Sequence, residues 1–588
     1  MPPVLRIIAR LALATVMVVF LRPLASGGPG PAYSGWTLVK NIRFHTHPEY
    51  TRIVIDLDRK AWYRIESSED ESAVTVELRN VYLRPGLKRR IAVGDGRVNG
   101  IGLARPDIST TRVVIEMESP RVYRYFALER PYRIVVDIKG RLEKAPAAEK
   151  TEEPPVERPH EREAVAPRVE PAEPPEEGPP IMEEEGAMRI GGYLQNETAY
   201  RTSAPDDLSK VRNIFFLEGS GRLGMNVSYK VSARAVYDAV FDLTSNFSKE
   251  VEDDQEFEVD LRDTYVDISL GDWDVRLGRQ QIVWGEAVGL FFADVVNAKD
   301  LREFVLPDFD YIRIPHWGAD VELTKGDVYI EFVWIPVLEF NKTGVAGSEF
   351  PPAVPVPDGV TYTIRGTNEP GDNFRNSEVG GRISYFFEGW DLSVFYLYTW
   401  DKFPAYFRTM DSSTHYTFNP EHKRLNVGGF TLAKEISDII LKTEFVYSEG
   451  KYFAVIDDKD SDGVVRKASI DYLVGMDYTL WDRLDINVQF MQRIIPGYKD
   501  TMFREERIRS TASIRLKTGF RDNTIEPEIL IISSLEETDL MIRPKIEFTW
   551  GGQWRFRLGA DIFEGKNDGV FGQYDAKDRV YTELRLIF

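Results

Sequence analysis

Residues 540–562 read LMIRPKIEFTWGGQWRFRLGADI. Before the Gly551-Gly552 pair, Leu540, Ile542, Ile546, Phe548 and Trp550 stand opposite Arg543, Lys545, Glu547 and Thr549. After it, Trp554, Phe556, Leu558, Ala560 and Ile562 stand opposite Arg555, Arg557 and Asp561. Period-2 alternation broken by a glycine pair specifies an antiparallel hairpin with one apolar and one charged face. A soluble sandwich turns the charged face outward, whereas a membrane barrel turns it inward, so alternation alone leaves both open.

From Met188 onward this pattern recurs in about eighteen segments (sixteen is the alternative count). Leu484, Ile486, Val488 and Phe490, for example, face away from Asp485, Asn487 and Gln489. Three features favour the barrel. Tight connections at 271–272, 325–327, 388–389, 481–483 and 551–552 alternate with long ones near 243–257, 285–314, 338–374, 403–420, 451–467 and 565–577, the rhythm of short periplasmic turns and long external loops. Trp273, Trp390, Trp481, Trp550 and Trp554 sit beside the tight turns, where an interfacial girdle belongs. The chain also ends YTELRLIF, which resembles the C-terminal strand signal read by the bacterial barrel-assembly machinery. The expectation is an all-β chain whose residues 188–588 form an outer-membrane barrel with an aqueous lumen.

Upstream, Arg6 and Arg10 precede the apolar run 11–21 and the small residues Ala25, Ser26 and Gly27, so residues 1–26 read as a signal peptide. Residues 141–187 hold 14 Glu and 10 Pro, a composition that predicts an unfolded, extended tether. Basic against acidic residues count 19 to 14 over 33–140, and 6 to 14 over the tether. The whole chain carries −20, which argues against nucleic acid as a partner. No cysteine is present, excluding disulfides, thiolate metal sites and a lipoprotein anchor.

Between signal and tether lies a duplication. Thr51–Asn80 aligns without gaps on Thr111–Gly140, with identity at eight of thirty positions. Each copy opens and closes with β-branched alternation, so two copies can bury their apolar faces as a small sandwich. TRIVIDLD, TRVVIEME and YRIVVDIKG resemble the AMIN domain, over roughly residues 36–140. The resemblance implies binding to peptidoglycan or a related glycan. Alternation puts Thr51, Ile53, Ile55 and Leu57 on one face, with Arg52, Asp56 and Asp58 on the other. Arg52, Arg112, Lys88, Arg89 and Arg90 are the candidates to meet cell-wall carboxylates; ordinary solvated charge is the competing reading.

Within the barrel, residues 277–301 (LGRQQIVWGEAVGLFFADVVNAKDL) resemble the outer-membrane barrel family described as domain of unknown function 1302. The motif positions are Gly278, Arg279, Gln280, Trp284, Gly285, Glu286, Asn297 and Asp300. Strand phase sends Arg279 toward lipid, which is costly, so either a bulge reverses the phase or the strand has left the membrane. The 285–314 connection either folds inward as a constriction or forms a latch in which Arg279 pairs with Glu286.

On the final strands Arg515, Lys517, Arg543, Lys545, Arg555 and Arg557 share the phase opposite the lipid face, interspersed with Glu526, Glu528, Glu547 and Asp561. They read as lumen-lining, either as cross-strand ion pairs or as a positive wall favouring anions. Asp458, Asp460 and Asp462 give half of a calcium-loop pattern, without its closing Glu. No nucleophile elbow, P-loop, zincin or dinucleotide motif is present, and no cofactor is expected. The leading expectation is a non-enzymatic outer-membrane channel held to the cell wall. Its rivals are a structural tether with the barrel as anchor, and an enzyme on a barrel scaffold. Expected partners are outer-membrane lipid, peptidoglycan, the assembly machinery and an envelope-spanning exporter.

Overall fold

The computed structural model describes most of residues 37–139 and nearly all of 188–588. The signal-peptide and tether assignments lie outside the described residues.

The N-terminal unit contains β1 (Thr37–Thr46), β2 (Tyr50–Leu57), β3 (Trp62–Ser67), β4 (Ala73–Arg79), β5 (Val81–Leu83), β6 (Arg90–Ala92), β7 (Val98–Ala104), β8 (Thr110–Met117), β9 (Tyr123–Glu129) and β10 (Tyr132–Lys139). They form two five-stranded sheets, β5-β1-β2-β10-β9 and β3-β4-β8-β7-β6. The duplication explains the pairing. β2, which opens the first copy, pairs with β10, which closes the second (Ile53↔Val136). β4, which closes the first, pairs with β8, which opens the second (Val76↔Val113). The two copies are thus interleaved, and neither can close its sheet alone. The inward set Thr51, Ile53, Ile55 and Leu57 is buried as alternation requires, beside Val136 of its own sheet and against Val74, Val76 and Ile115 of the other.

One polar knot sits at the edge of this core. Gly94 and Gly96, both at positive φ, hold Asp95 in a tight turn. Its carboxylate accepts hydrogen bonds from Thr46 Oγ1 (2.7 Å), Thr51 Oγ1 and the backbone N–H groups of Arg97 and Val98. Burial pushes the Asp95 carboxyl up, but the donors, led by Thr51, outweigh it and hold it below the usual 3.8. A depressed carboxylate adds stability above its unfolded value, and that stability fades as pH falls through the folded one. Residues 36–140 of wild type are therefore expected to lose stability to acid below pH 3.8. In the Asp95→Asn variant that part of the acid slope should vanish. Urea unfolding followed by tryptophan fluorescence at several pH values checks this; equal slopes would contradict it.

The larger unit is a closed barrel of eighteen antiparallel strands, running from Arg189–Arg201 to Arg579–Ile587. The last strand closes on the first, with Leu586 opposite Leu194 and Arg585 opposite Gln195. Lipid-phase residues such as Trp273, Val394, Val474 and Leu558 are exposed. Lumen-phase charges pair across the ladder, as in Lys230 to Glu218 at 2.7 Å. Trp550 and Trp554 stack at 6.3 Å beside their turn, and Trp481 stands fully out at another, which builds the girdle. The turn–loop rhythm loosens at three connections: 202–207 and 519–524 have six residues each, and 535–538 has four. Among the described residues no helix is long and apolar enough to cross a membrane.

Candidate functional site

The connection 281–315 joins the strand Trp273–Gln280 to the strand His316–Lys325. It turns into the barrel. Trp284, Ala293 and Val296 are buried against Val333, Phe395, Leu425 and Val446 on one arc of the wall. Ala287 packs on Leu473 and Met491. Val305 and Leu306 pack with Leu530, Ile532, Met541 and Phe563 on another arc. Polar pins fasten the same path. Gln489 receives the Val288 N–H at 3.0 Å and donates back to the Val288 carbonyl at 2.8 Å. Glu444 receives the Ala293 N–H at 2.9 Å. The buried Glu303 carboxylate is held by Lys210 (2.8 Å), Arg579 (3.2 Å) and Arg212. Arg543 donates to the Leu306 carbonyl at 2.7 Å.

The motif residues build this segment. The Trp284 indole N–H donates to Glu331 at 3.1 Å, and Glu331 in turn pairs with Arg382 at 2.9 Å. At Gly285 any Cβ would stand 2.6 Å from the Asp294 nitrogen, so only glycine lets 285 and 293–294 lie side by side. Asn297, fully buried, accepts the Ile282 N–H at 3.1 Å and donates to the Ile282 carbonyl, which closes the loop on itself. His316 accepts the Ala298 N–H at 3.0 Å, and Asp300 binds Arg302 at 2.6 Å. Gln280 is buried at the end of its strand. Arg279 keeps the lipid-facing phase, with no reversal of register from Thr264 or Trp317. It pairs with Glu339 of the external connection and donates to the Leu261 carbonyl at 2.8 Å. Of the two alternatives for this strand, the bulge is therefore excluded. Glu339 takes the place proposed for Glu286, which itself lies outside the described residues.

Between the segment and the wall remains a cleft of about 90 Å³. Its lining carries eight Lys or Arg against seven Asp or Glu. That near balance bears on the positive-wall reading, since the final strands meet their acids pair by pair. Lys517 binds Glu526 (3.3 Å), Arg543 binds Asp561 (2.8 Å) and Lys545 binds Glu528 (3.0 Å). Arg555 binds Glu547 (3.2 Å) and Arg557 binds Glu583 (2.9 Å), while Arg515 stands opposite Leu530.

A family model described as "Protein of unknown function (DUF1302)" matches residues 210–588. The chain belongs to the DUF1302 family. An AMIN-domain model matches residues 41–124, and β10 carries the sheet of that domain on to Lys139. No curated protein matches the chain. Among solved structures, the DUF1302 chain is similar to OccAB1 of Acinetobacter baumannii (9% identity, 69% of this chain and 96% of that one, TM-score 0.42). It is also similar to OccK8 (OprE) of Pseudomonas aeruginosa (10% identity, 69% and 98%, TM-score 0.41).

Other candidate residues of this DUF1302 protein fall differently from the sequence reading. Arg52 is not a free outward charge: it is 6% exposed and holds Asp137 through two hydrogen bonds of 2.8 Å. Arg112 pairs with Glu77 at 3.1 Å and Arg90 with Glu116 at 3.0 Å, both at the surface. Lys88 and Arg89 lie outside the described residues. The calcium pattern is also reassigned. Asp460 and Asp462 cap the backbone N–H groups of Gly463 and Val464, while Asp458 lies outside the described residues. The Arg408 guanidinium donates to the carbonyls of Val455, Asp457 and Asp460 and supplies the positive charge of that loop. Among the described residues no group of three or more His, Cys, Asp or Glu is placed for a metal. Sequence reasoning missed Glu303, His316 and Glu331, whose partners lie on other strands and leave no local signal.

Proposed function

We propose that this protein is a gated, non-enzymatic conduit across the outer membrane for a solute or amphiphile, held to peptidoglycan by its AMIN domain on the periplasmic side. The observation that carries the reading is the pinned segment 281–315. Eighteen strands enclose a lumen too wide for side chains from the wall to fill, and this chain narrows it with one segment anchored on several arcs. A barrel serving only as anchor has no need of eighteen strands or of a charged cleft behind a fastened segment. The segment fastened across the lumen stands in the path, so passage requires it to shift. Ion currents through the full chain in planar bilayers test the conduit.

The AMIN domain supports a second, compatible role as a wall tether. Residues 36–140 are expected to sediment with purified peptidoglycan at low salt and to dissociate as salt screens the surface charges around Arg90 and Arg112. Absence of sedimentation at low salt would remove the tether and leave the conduit standing.

A further inference from the structure

Two prolines interrupt the wall near its last strands. Pro527 and Pro544 lie on adjacent strands, opposite Ile546 and Ile529 respectively. Proline has no N–H for a ladder and is rare away from sheet edges. The strand Asp539–Trp550 pairs with the strand Trp554–Gly565 at Ile542↔Ile562 and again at Lys545↔Gly559, and the pairing lapses for the residues between. Those residues are Arg543 and Pro544 on one strand, Ala560 and Asp561 on the other. At ~3.4 Å per residue, Pro544 stands about 20 Å along its strand from Trp550. A strand tilt near ~40° puts that about 15 Å above the girdle, well inside the apolar band.

The lapse separates two concavities of opposite character. Outside, an apolar groove of about 710 Å³ runs over Pro527, Ile529, Pro544, Gly559, Ala560 and Val580. Inside, the charged cleft is lined at the same height by Arg543, Asp561, Arg579 and Tyr581. Alternate residues of the same strands line the two, so a single layer of backbone with an interrupted ladder lies between them. On the inner side Arg543 and Arg579 share the one carboxylate of Asp561, each at 2.8 Å. Next to them, Leu306, Leu530, Met541 and Phe563 form an apolar patch within the lumen.

We infer that the Pro544–Ala560 seam is a lateral portal through which a single-chain anionic amphiphile, such as a fatty carboxylate, moves between the lumen cleft and the bilayer. The chemistry on each side selects that ligand. The groove opens to hydrocarbon and offers an alkyl chain a continuous apolar bed, while a carboxylate head would displace Glu303 from Arg579 and join Asp561 between the two guanidiniums. Ala560 leaves little bulk on the outer side, while Gly559, on the lumen phase, makes room for the Tyr581 ring of the inner cleft. Pro544 removes a bond that would otherwise have to break. The inference rests on the conduit reading and adds to it the substrate class and the route.

The test uses the full-length protein in lipid vesicles. The chain has no cysteine, so the double variant Pro544→Cys/Ala560→Cys can lock the seam by oxidation and free it by reduction. Thr443→Cys/Val474→Cys, a directly opposed pair on an intact ladder, is the control. The probe is dodecanoate carrying a diazirine at its chain end, with sites of photolabelling mapped by mass spectrometry. Expected is labelling of strand 540–546 and of the inner residues around Leu306, with the inner labelling lost on oxidation of the seam pair and kept in the control. Inner labelling that survives the lock overturns the portal, as does labelling spread evenly over the lipid face. Chloride current recorded from the same locked protein separates the two readings. Current with unaffected inner labelling strikes only the portal, while absence of current in locked, reduced and wild-type protein strikes the conduit.

Discussion

Replacing Arg52 with alanine is expected to cost the AMIN domain about 3–5 kcal/mol, enough to unfold a small domain whose total stability is of that order. The reason lies in the interleaving of the two copies. Arg52 on β2 belongs to the first copy and Asp137 on β10 to the second, and they sit side by side in the ladder as well as in their ion pair. Both are nearly closed from water, and the Tyr50 ring lies 5.1 Å from the guanidinium. Removal of one partner leaves the other buried and uncompensated. The double variant Arg52→Ala/Asp137→Ala is therefore expected to recover part of the loss. Urea midpoints of residues 36–140 measure both, and a single variant as stable as wild type would mean that the pair is not buried as described.

Glu303→Ala is expected to have a comparably large effect inside the barrel. Its carboxylate is the meeting point of Lys210, Arg212 and Arg579 on the strands that flank the closure. Without it the cleft keeps eight cations against six acids, and the inward segment loses its strongest fastening to that wall. By the same buried-pair reasoning the fastening is worth about 3–5 kcal/mol. Two consequences follow together: larger current, because the segment is freed, and a reversal potential shifted toward anion preference, because charge acts at close range in a confined lumen. Unchanged current and selectivity in a folded Glu303→Ala barrel would show that the segment is held by its apolar contacts alone.

Much of this architecture is written in short-range pattern. Period-2 alternation tells which side of a strand a residue faces, and that suffices for the eighteen strands, the tryptophan girdle and the buried set on β2. It does not tell who stands opposite. Arg52 was correctly placed on the second face of β2, but its partner lies 85 positions away on β10. Arg279 was correctly read as lipid-facing, yet the charge that offsets it, Glu339, comes from a connection 60 positions on. The same limit governs the lumen: the run of cations on the last strands is visible in sequence, whereas the acids that meet them register only once the ladder is built. Asp460 and Asp462 resemble calcium ligands until Arg408, from a connection some fifty residues earlier, is found supplying the positive charge. The inward segment was legible in part. Its motif marked the place and an inward fold was one of two alternatives, but the choice between constriction and latch turned on Gly285, Asn297 and the distant anchors Glu444 and Gln489.

A gated conduit requires that segment 281–315 set the opening of the eighteen-strand lumen. Single-channel recording in planar bilayers, comparing the full chain with one in which residues 287–311 are replaced by a short Gly/Ser linker, addresses it most directly. The strand residues Gln280 and His316, where the segment leaves and rejoins the wall, are unchanged in both chains. Small or intermittent currents are expected from the wild-type chain, and a steady, several-fold larger conductance from the shortened one. Equal conductance in two properly closed barrels would contradict this, because the segment would then lie outside the path that ions take.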